Sequence, residues 1–250
     1  MKITIPTKKA SSDRHLSWIL GYEPDITPRT DDITKCFPTA AYDIELYKWH
    51  MGVGKYFYQN HLYGWLCKYA PIKPPYYLGV DIGANVGQHS IMMSQMCKRV
   101  IAFEPHPETF NVLQRNMDVN NINNVELYQD AISDRIRKAQ ITDRKMSGSN
   151  HIKFDNTRSP SNIMTNVYPL DYFNLKTVHI IKIDVECHEL EVLNGMEQTL
   201  HYNNPYVILE AHRGRWETPY MFDFMEGNEY FVIAHFQNNI IFHKSSRRHK

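Results

Sequence analysis

The sequence lacks a dominant charge: 28 lysines and arginines stand against 27 aspartates and glutamates, a net charge of +1 over 250 residues. That balance argues against a protein that grips nucleic acid by bulk electrostatics, which needs a broad cationic surface. A cysteine framework is also missing. Cys36, Cys67, Cys97 and Cys187 are scattered and form no C-x-x-C pair, which excludes an evident zinc ribbon or disulfide scaffold and reads as reduced thiols in a cytoplasmic setting. No apolar run approaches the roughly 20 residues that cross a bilayer, and no signal-peptide core follows the opening MKITIPTKKA. The expectation is a soluble cytoplasmic protein with no membrane partner. Internal repeats and low-complexity stretches are absent, and the basic tail Lys244–Lys250 is short enough to be a solvated end.

What is present divides near residue 75. Residues 1–75 are rich in Tyr, Trp, Pro and His and read as a helical and irregular extension. Ile44, Tyr47 and Met51 form one row, and Tyr58, Leu62, Trp65 and Leu66 a cleaner stripe, with Gly52 and Gly54 breaking the segment into two helices. Pro71, Pro74 and Pro75 end it. Residues 76–250 alternate strand and helix. The pattern predicts strands at Tyr77–Ile82, Val100–Glu104, Val125–Gln129, His179–Asp184 and Tyr206–Glu210. Helices are predicted at Gln88–Cys97, Pro107–Val119 and Glu189–Leu200. Residues 135–175 read as irregular, with short strands near Ala139–Thr142 and His151–Phe154. Tyr230–His235 and Ile240–His243 read as a closing antiparallel hairpin around Asn238-Asn239. This is an α/β chain with a Rossmann-like, mostly parallel, doubly wound sheet.

The sharpest motif is Val80-Asp81-Ile82-Gly83-Ala84-Asn85-Val86-Gly87, where a strand runs through a glycine turn into a helix. Such a turn lies beyond the carboxyl end of its strand, where open α/β sheets bind ligands. The spacing is D-x-G-x-x-x-G, not the G-x-G-x-x-G of dinucleotide enzymes. A pyrophosphate at the helix start would be repelled by Asp81, whereas the ammonium and sulfonium of S-adenosylmethionine are attracted to it. Glu104, with Pro105 beside it, ends the second strand about twenty residues on, where an acid can accept both ribose hydroxyls. Asp130 follows the third strand and suits the adenine amino group, with Ala131 and Ile132 flanking the ring. Any one of these acids alone can merely cap a helix; three at successive strand ends with the glycine loop point to cofactor binding.

The segments VDIGANVG, IAFEPHPETFNVLQRNMDVNN, IIKIDVECHELEVLNGM and VILEAH together resemble the FkbM family of S-adenosylmethionine-dependent methyltransferases, from about Tyr76 to His212. The resemblance implies the class I methyltransferase fold and an O-methyltransferase acting on a hydroxyl of a sugar, glycan or other small natural product. One departure is Cys187, where the family usually has glycine after the glutamate; it bears on the turn and on substrate choice more than on cofactor use.

Methyl transfer to oxygen needs alignment and removal of a proton. The candidate catalytic residues cluster at the ends of the fourth and fifth strands: Asp184, His188, Glu210 and His212. Glu186, and Asp184 itself, can also face the cofactor's amino group. Lys182 and Asp184 share a face and can simply pair, and Glu189 can simply stabilise its helix. Asp184, Glu186, Glu210 and His212 are also possible metal ligands, but no compact ligand motif is present and no metal is expected. The aromatic N-terminal segment and the loop around Met146–Asn166 have the character of a substrate lid, although Trp49 and Trp65 read better as residues burying a helix on the sheet. Three alternatives stand beside sugar O-methylation. A ribose methyltransferase for RNA is evoked by Lys182, Asp184 and Glu210 but lacks a second lysine. The others are a non-catalytic cofactor-binding module and, least supported by the loop spacing, an NAD-linked dehydrogenase.

Overall fold

The computed structural model describes residues 60–70, 72, 74–141, 152–153, 163–211, 217–236 and 238–244. Residues 1–59, His212 and most of the Met146–Asn166 loop therefore lie outside the described residues. In chain order the elements are α1 (Asn60–Tyr69), β1 (Tyr76–Ile82), α2 (Gln88–Met96), β2 (Cys97–Phe103), α3 (Pro107–Val119) and β3 (Val125–Tyr128). Four short strands follow: β4 (Ala131–Ile132), β5 (Arg137–Ile141), β6 (Ile152–Lys153) and β7 (Met164–Tyr168). The chain then forms β8 (Val178–Ile183), α4 (Glu189–Asn194), α5 (Glu197–Asn203), β9 (Tyr206–Glu210), α6 (Thr218–Gly227), β10 (Phe231–Phe236) and β11 (Asn239–His243).

The main sheet runs β3-β2-β1-β8-β9-β11-β10. Its first five strands are parallel, and β11 enters antiparallel between β9 and β10. Strand order reverses at β1, which pairs with β2 on one side and β8 on the other, and ligand sites of open α/β sheets lie at such a reversal.

Strand alternation builds two core layers. Val80, Ile82, Ile101, Phe103, Ile181, Ile183, Val207 and Leu209 belong to one apolar cluster. Val100, Ile180, Tyr206 and Ile208 join a second, with Leu62, Tyr63 and Leu66 of α1 and Met92, Met93 and Met96 of α2. Burial on both faces explains why β1 and β8 read as continuous apolar runs. Trp65 packs edge-on against Phe236, as its place on the α1 stripe suggests.

Three features differ from the sequence expectations. The short strands expected near Ala139–Thr142 and His151–Phe154 are β5 and β6, but they belong to a second sheet, β4-β7-β5-β6, whose other strands, of two and five residues, were not expected. The helix expected over Glu189–Leu200 is split at Gly195, where an added Cβ would lie 1.8 Å from the Ser133 carbonyl oxygen; only glycine lets the chain bend there against the segment after β4. Helix α6 was not anticipated; it starts at Thr218-Pro219 and buries Met221, Phe222 and Met225.

Candidate active site

The turn after β1 is held by its backbone. The amides of Gly83 and Ala84 both donate to the Phe103 carbonyl, and that of Gly87 to Ala84. Gly83 (φ +80°), Asn85 (φ +50°) and Gly87 (φ +93°) all occupy the left-handed region. Ala84 is buried in a small apolar cluster with Ile91, Ala102 and Leu113.

The loop and the end of β2 are joined through Glu104. Its Oε2 accepts from the Asn85 amide and its Oε1 from the His106 amide, each at 2.9 Å. His106 is the N-cap of α3, so the capping reading holds for one oxygen while the other braces the loop. Burial pushes the Glu104 carboxyl up to about 7 despite those amides. Asp81 is wholly buried and accepts from Ser90 Oγ at 2.6 Å. Burial raises it to about 6, against the Ser90 bond and the Lys182 charge. Among the described residues, Asp81 Oδ1 and Asn85 Oδ1 are buried without a hydrogen-bond partner. The cradle therefore offers acceptors: two orphaned oxygens and the second lone pairs of Glu104. Such a set suits a ligand bearing an ammonium and hydroxyls and opposes one bearing phosphate. The fit to the expected adenosyl cofactor is good on this ground.

Further along, Pro105 and Asp130 are half-buried and Ala131 is buried. Asp130 Oδ1 accepts from Asn166 Nδ2 at 3.2 Å, which leaves its other oxygen for a donor.

At the ends of β8 and β9 the face that packs under α1 and α2 turns polar. Lys182 is opposite Asp81 in the β1–β8 register and is wholly buried. Its ammonium donates to Asp184 Oδ2 at 3.0 Å, so the pairing considered from sequence is present. Burial pushes the Asp184 carboxyl up, but Lys182 and a hydrogen bond with Glu210 outweigh it and hold it well below the usual carboxylate range. Asp184, Glu186 and Glu210 have carboxylate oxygens within 4.8 Å of one another. The Lys182 ammonium pairs with Asp184 and offsets one of the three carboxylate charges, so the cluster keeps a net negative charge. Asn239, opposite Glu210 on β11, is wholly buried with neither amide atom partnered among the described residues; the sequence reading placed it in the hairpin turn, whereas it opens the strand.

Two sequence candidates sit elsewhere. His188, expected as a base, is buried with Nε2 2.8 Å from Ser133 Oγ and Nδ1 3.4 Å from Glu191. Burial, then the Arg137 charge, lowers it to about 4. These contacts tie the β8–α4 turn to the segment after β4, which is a positioning role. Glu189 Oε1 accepts from the Val185 amide at 3.3 Å, within the same turn. The turn is strained, since Glu186 (φ +53°) and Cys187 (φ +74°) are both left-handed. Left-handed backbone costs a side chain about 1–2 kcal/mol, partly offset in glycine by its freedom when unfolded. Cys187→Gly is expected to stabilise the protein by about 1 kcal/mol, a rise of roughly 2–4 °C in Tm; an unchanged or lower Tm in calorimetry would show that the turn is not strained at this position.

Sequence reasoning did not select Tyr63 and His89. Tyr63 is wholly buried, and its hydroxyl lies 2.8 Å from His89 Nδ1. A histidine in the first turn after the glycine loop, on the same face as Lys182, was the available signal.

Comparison with known proteins supplies a family. A model of the methyltransferase FkbM domain matches residues 81–234, more than half of the chain. The hexuronic acid methyltransferase AglP of Haloferax volcanii is 32% identical over 150 residues, covering 54% of this chain and 55% of that protein. Methyltransferase 1 of Beauveria bassiana is 27% identical over 143 residues, covering 47% of this chain and 57% of that one. The chain thus spans a little over half the length of the curated relatives it matches. Among solved structures, a methyltransferase FkbM from Methylobacillus flagellatus superposes with a TM-score of 0.51 at 16% identity, covering 71% of this chain and 47% of that one, a likeness of fold.

Proposed function

The chain belongs to the FkbM methyltransferase family, and from that premise we propose that it transfers a methyl group from S-adenosylmethionine to a hydroxyl oxygen of a sugar or similar small molecule. The observation that carries the reading is the juxtaposition of the acceptor oxygens of Asp81, Asn85 and Glu104 with the Lys182-bound Asp184 and the neighbouring carboxylates after β8 and β9. When bound, the cofactor supplies a methyl group on a sulfonium, so that an attacking oxygen bonds to the methyl carbon as the C–S bond breaks and its electron pair stays on sulfur. Glu104 would hold the ribose, Asp81 and Asn85 the amino-acid portion, and Asp130 the adenine. Asp184, fixed by Lys182, would place a permanent anion at the reaction centre to orient the acceptor.

Hexuronic acid, named for the Haloferax relative, offers a carboxylate as well as hydroxyls. The three carboxylates of Asp184, Glu186 and Glu210 repel an anionic acceptor and favour a neutral hydroxyl. Incubation with methyl-labelled S-adenosylmethionine and a panel of glycosides, p-nitrophenyl glucuronide among them, should give an alkali-stable methyl ether. An alkali-labile ester, or transfer to nitrogen, would overturn the hydroxyl assignment. The described residues include no helix long and apolar enough to cross a membrane, and a small polar acceptor fits a site at a sheet edge.

Glu104 gives a pH test. A carboxyl that titrates near 7 when folded and near 4.5 when unfolded binds its proton more tightly in the folded state. Its contribution to the unliganded protein is fully present below about pH 4.5 and is lost as pH rises through about 7. Asp81 acts in the same direction between 3.8 and about 6. Ribose hydroxyls donate to the ionised form, so cofactor affinity should rise as pH passes 7. Glu104→Ala should weaken binding by about 1–3 kcal/mol in calorimetry, and Glu104→Gln should remove the rise with pH. An unaltered dissociation constant with a large fall in Tm would make Glu104 purely structural.

A further inference from the structure

Glu210 of β9 and Asn239 of β11 stand opposite each other in an antiparallel pair, where directly opposed side chains share a face. The face is the one under α1 and α2. Ile208 and Ile241, two residues along each strand, pack into that layer, whereas Leu209 and Ile240 pack into the other. Lys182 follows Ile180 on β8 in the same way, and Asp184 follows Lys182 and bonds to it. The Asn239 amide is thus directed toward the carboxylates of Asp184, Glu186 and Glu210, whose oxygens lie within 4.8 Å of one another. Asn239 is wholly buried, and neither its oxygen nor its nitrogen has a partner among the described residues. A buried amide oxygen is costly to leave unsatisfied. What meets it must be small, since no open surface admits a sugar ring to this side chain. No compact motif announces the set in sequence, because β11 brings Asn239 to Glu210 only in the folded sheet.

We propose that Asp184, Glu186, Glu210 and the Asn239 amide oxygen bind one divalent cation of the magnesium class. Three carboxylates this close repel one another unless positive charge lies among them. Lys182 supplies part of that charge through Asp184 Oδ2 at 3.0 Å, and these four groups together remain negative. A proton shared by one pair of carboxylates would relieve that pair; it would not account for a third carboxylate and a buried amide gathered beside it. All the donors are oxygens, which suits Mg²⁺ or Mn²⁺ and not zinc, whose sites are built from nitrogen and sulfur. Lys182 occupies one oxygen of Asp184 and leaves the other for the ion. Such ions keep several positions for water or a substrate oxygen. In the second use, which rests on the methyl-transfer reading, the acceptor hydroxyl binds the ion and loses its proton to water more readily. Its oxygen keeps the electron pair and bonds to the methyl carbon as the C–S bond breaks. Asp184 then orients the acceptor through the ion.

The test uses the full chain, stripped with EDTA and dialysed. Electron paramagnetic resonance of added Mn²⁺ should show one ion bound per chain, and Mn²⁺ should raise Tm. No binding below about 1 mM, the weak end of oxygen-ligand sites, overturns the proposal without any variant. Glu210→Gln should weaken binding roughly 10-fold or more, and Asn239→Asp, which adds charge to the ligand set at constant size, should tighten it roughly 10-fold. Glu229→Gln removes an exposed acid outside the cluster and should change nothing. Tightening is a result that damage to the fold does not mimic. An Asn239→Asp protein that binds Mn²⁺ no better than wild type overturns the proposal, as does a Glu229→Gln loss equal to that of Glu210→Gln. On the glycoside panel, EDTA should stop methyl transfer and added Mg²⁺ should restore it; transfer undiminished in EDTA overturns the ion's part in the reaction. A chain that binds Mn²⁺ but methylates no hydroxyl overturns the underlying methyl-transfer reading instead, so the two failures are distinct.

Discussion

Gly83→Ala is expected to cost at least about 4 kcal/mol, enough to prevent accumulation of folded protein. Gly83 has φ +80°, and a Cβ there would lie 1.9 Å from the Asp184 carbonyl oxygen and 2.8 Å from its carbon. Both obstructing atoms are backbone, at the point where β1 and β8 emerge side by side, so no side-chain rotation relieves the clash. Moving the turn would break the Gly83 amide bond to Phe103 and the Asp184 amide bond to Ile82, at about 1 kcal/mol each. The left-handed backbone adds about 1–2 kcal/mol, and displacement of the packed strand ends about 1–3 more. Gly227→Ala, with nothing within 4 Å of the added methyl, is the control and should change stability by less than about 1 kcal/mol. Urea unfolding of the two variants decides the matter. A Gly83→Ala protein within about 1 kcal/mol of wild type would mean that the β1 and β8 turns are not pressed together.

The same close approach explains what the sequence did and did not disclose. Gly83 and Gly87 announce their turn because the backbone needs a residue without a side chain, and the apolar run of β8 announces a strand buried on both faces. At Cys187 the same backbone need is met by a residue that does not advertise it: the chain is left-handed at φ +74° with a side chain in place. The second sheet was legible in part: β5 and β6 lie where short strands are expected near Ala139–Thr142 and His151–Phe154, whereas Ala131–Ile132 pairs for two positions only, too few for an alternation to show. The polar layer under α1 and α2 was half legible. Lys182 and Asp184 stand out against an apolar strand, but the partners that fix their meaning come from far away in sequence. Asp81 reaches Lys182 through sheet register, Tyr63 reaches His89 across 26 residues, and Asn239 arrives opposite Glu210 only because β11 inserts between β9 and β10. His188 stands out in sequence as an imidazole just past the fourth strand, but its contact with Ser133 spans 55 residues and is not legible there.

Asp184→Asn is expected to lower methyl transfer between about 100- and 1,000-fold, the range for removing one preorganised electrostatic contact, with cofactor affinity altered far less. The substitution keeps the size of the side chain and an oxygen for Lys182 but removes the negative charge. That charge is held by the Lys182 ammonium at 3.0 Å and stands beside Glu210, at the sheet edge next to Gly83. It costs nothing to form during the reaction because Lys182 keeps it present throughout. Removing it leaves Lys182, wholly buried, with a poorer partner. Breaking a fully buried ion pair costs about 3–5 kcal/mol, and because the Asp184 side chain remains 26% exposed the loss here should be nearer 1–3 kcal/mol. Stability and rate are separable by adding Lys182→Met to Asp184→Asn, which removes the orphaned cation. The double variant should regain much of the Tm and none of the turnover. Turnover that survives Asp184→Asn nearly intact would remove Asp184 from the reaction centre and turn attention to Glu186 and Glu210. A rate that returns with the Tm in the double variant would show that Asp184 serves the fold alone.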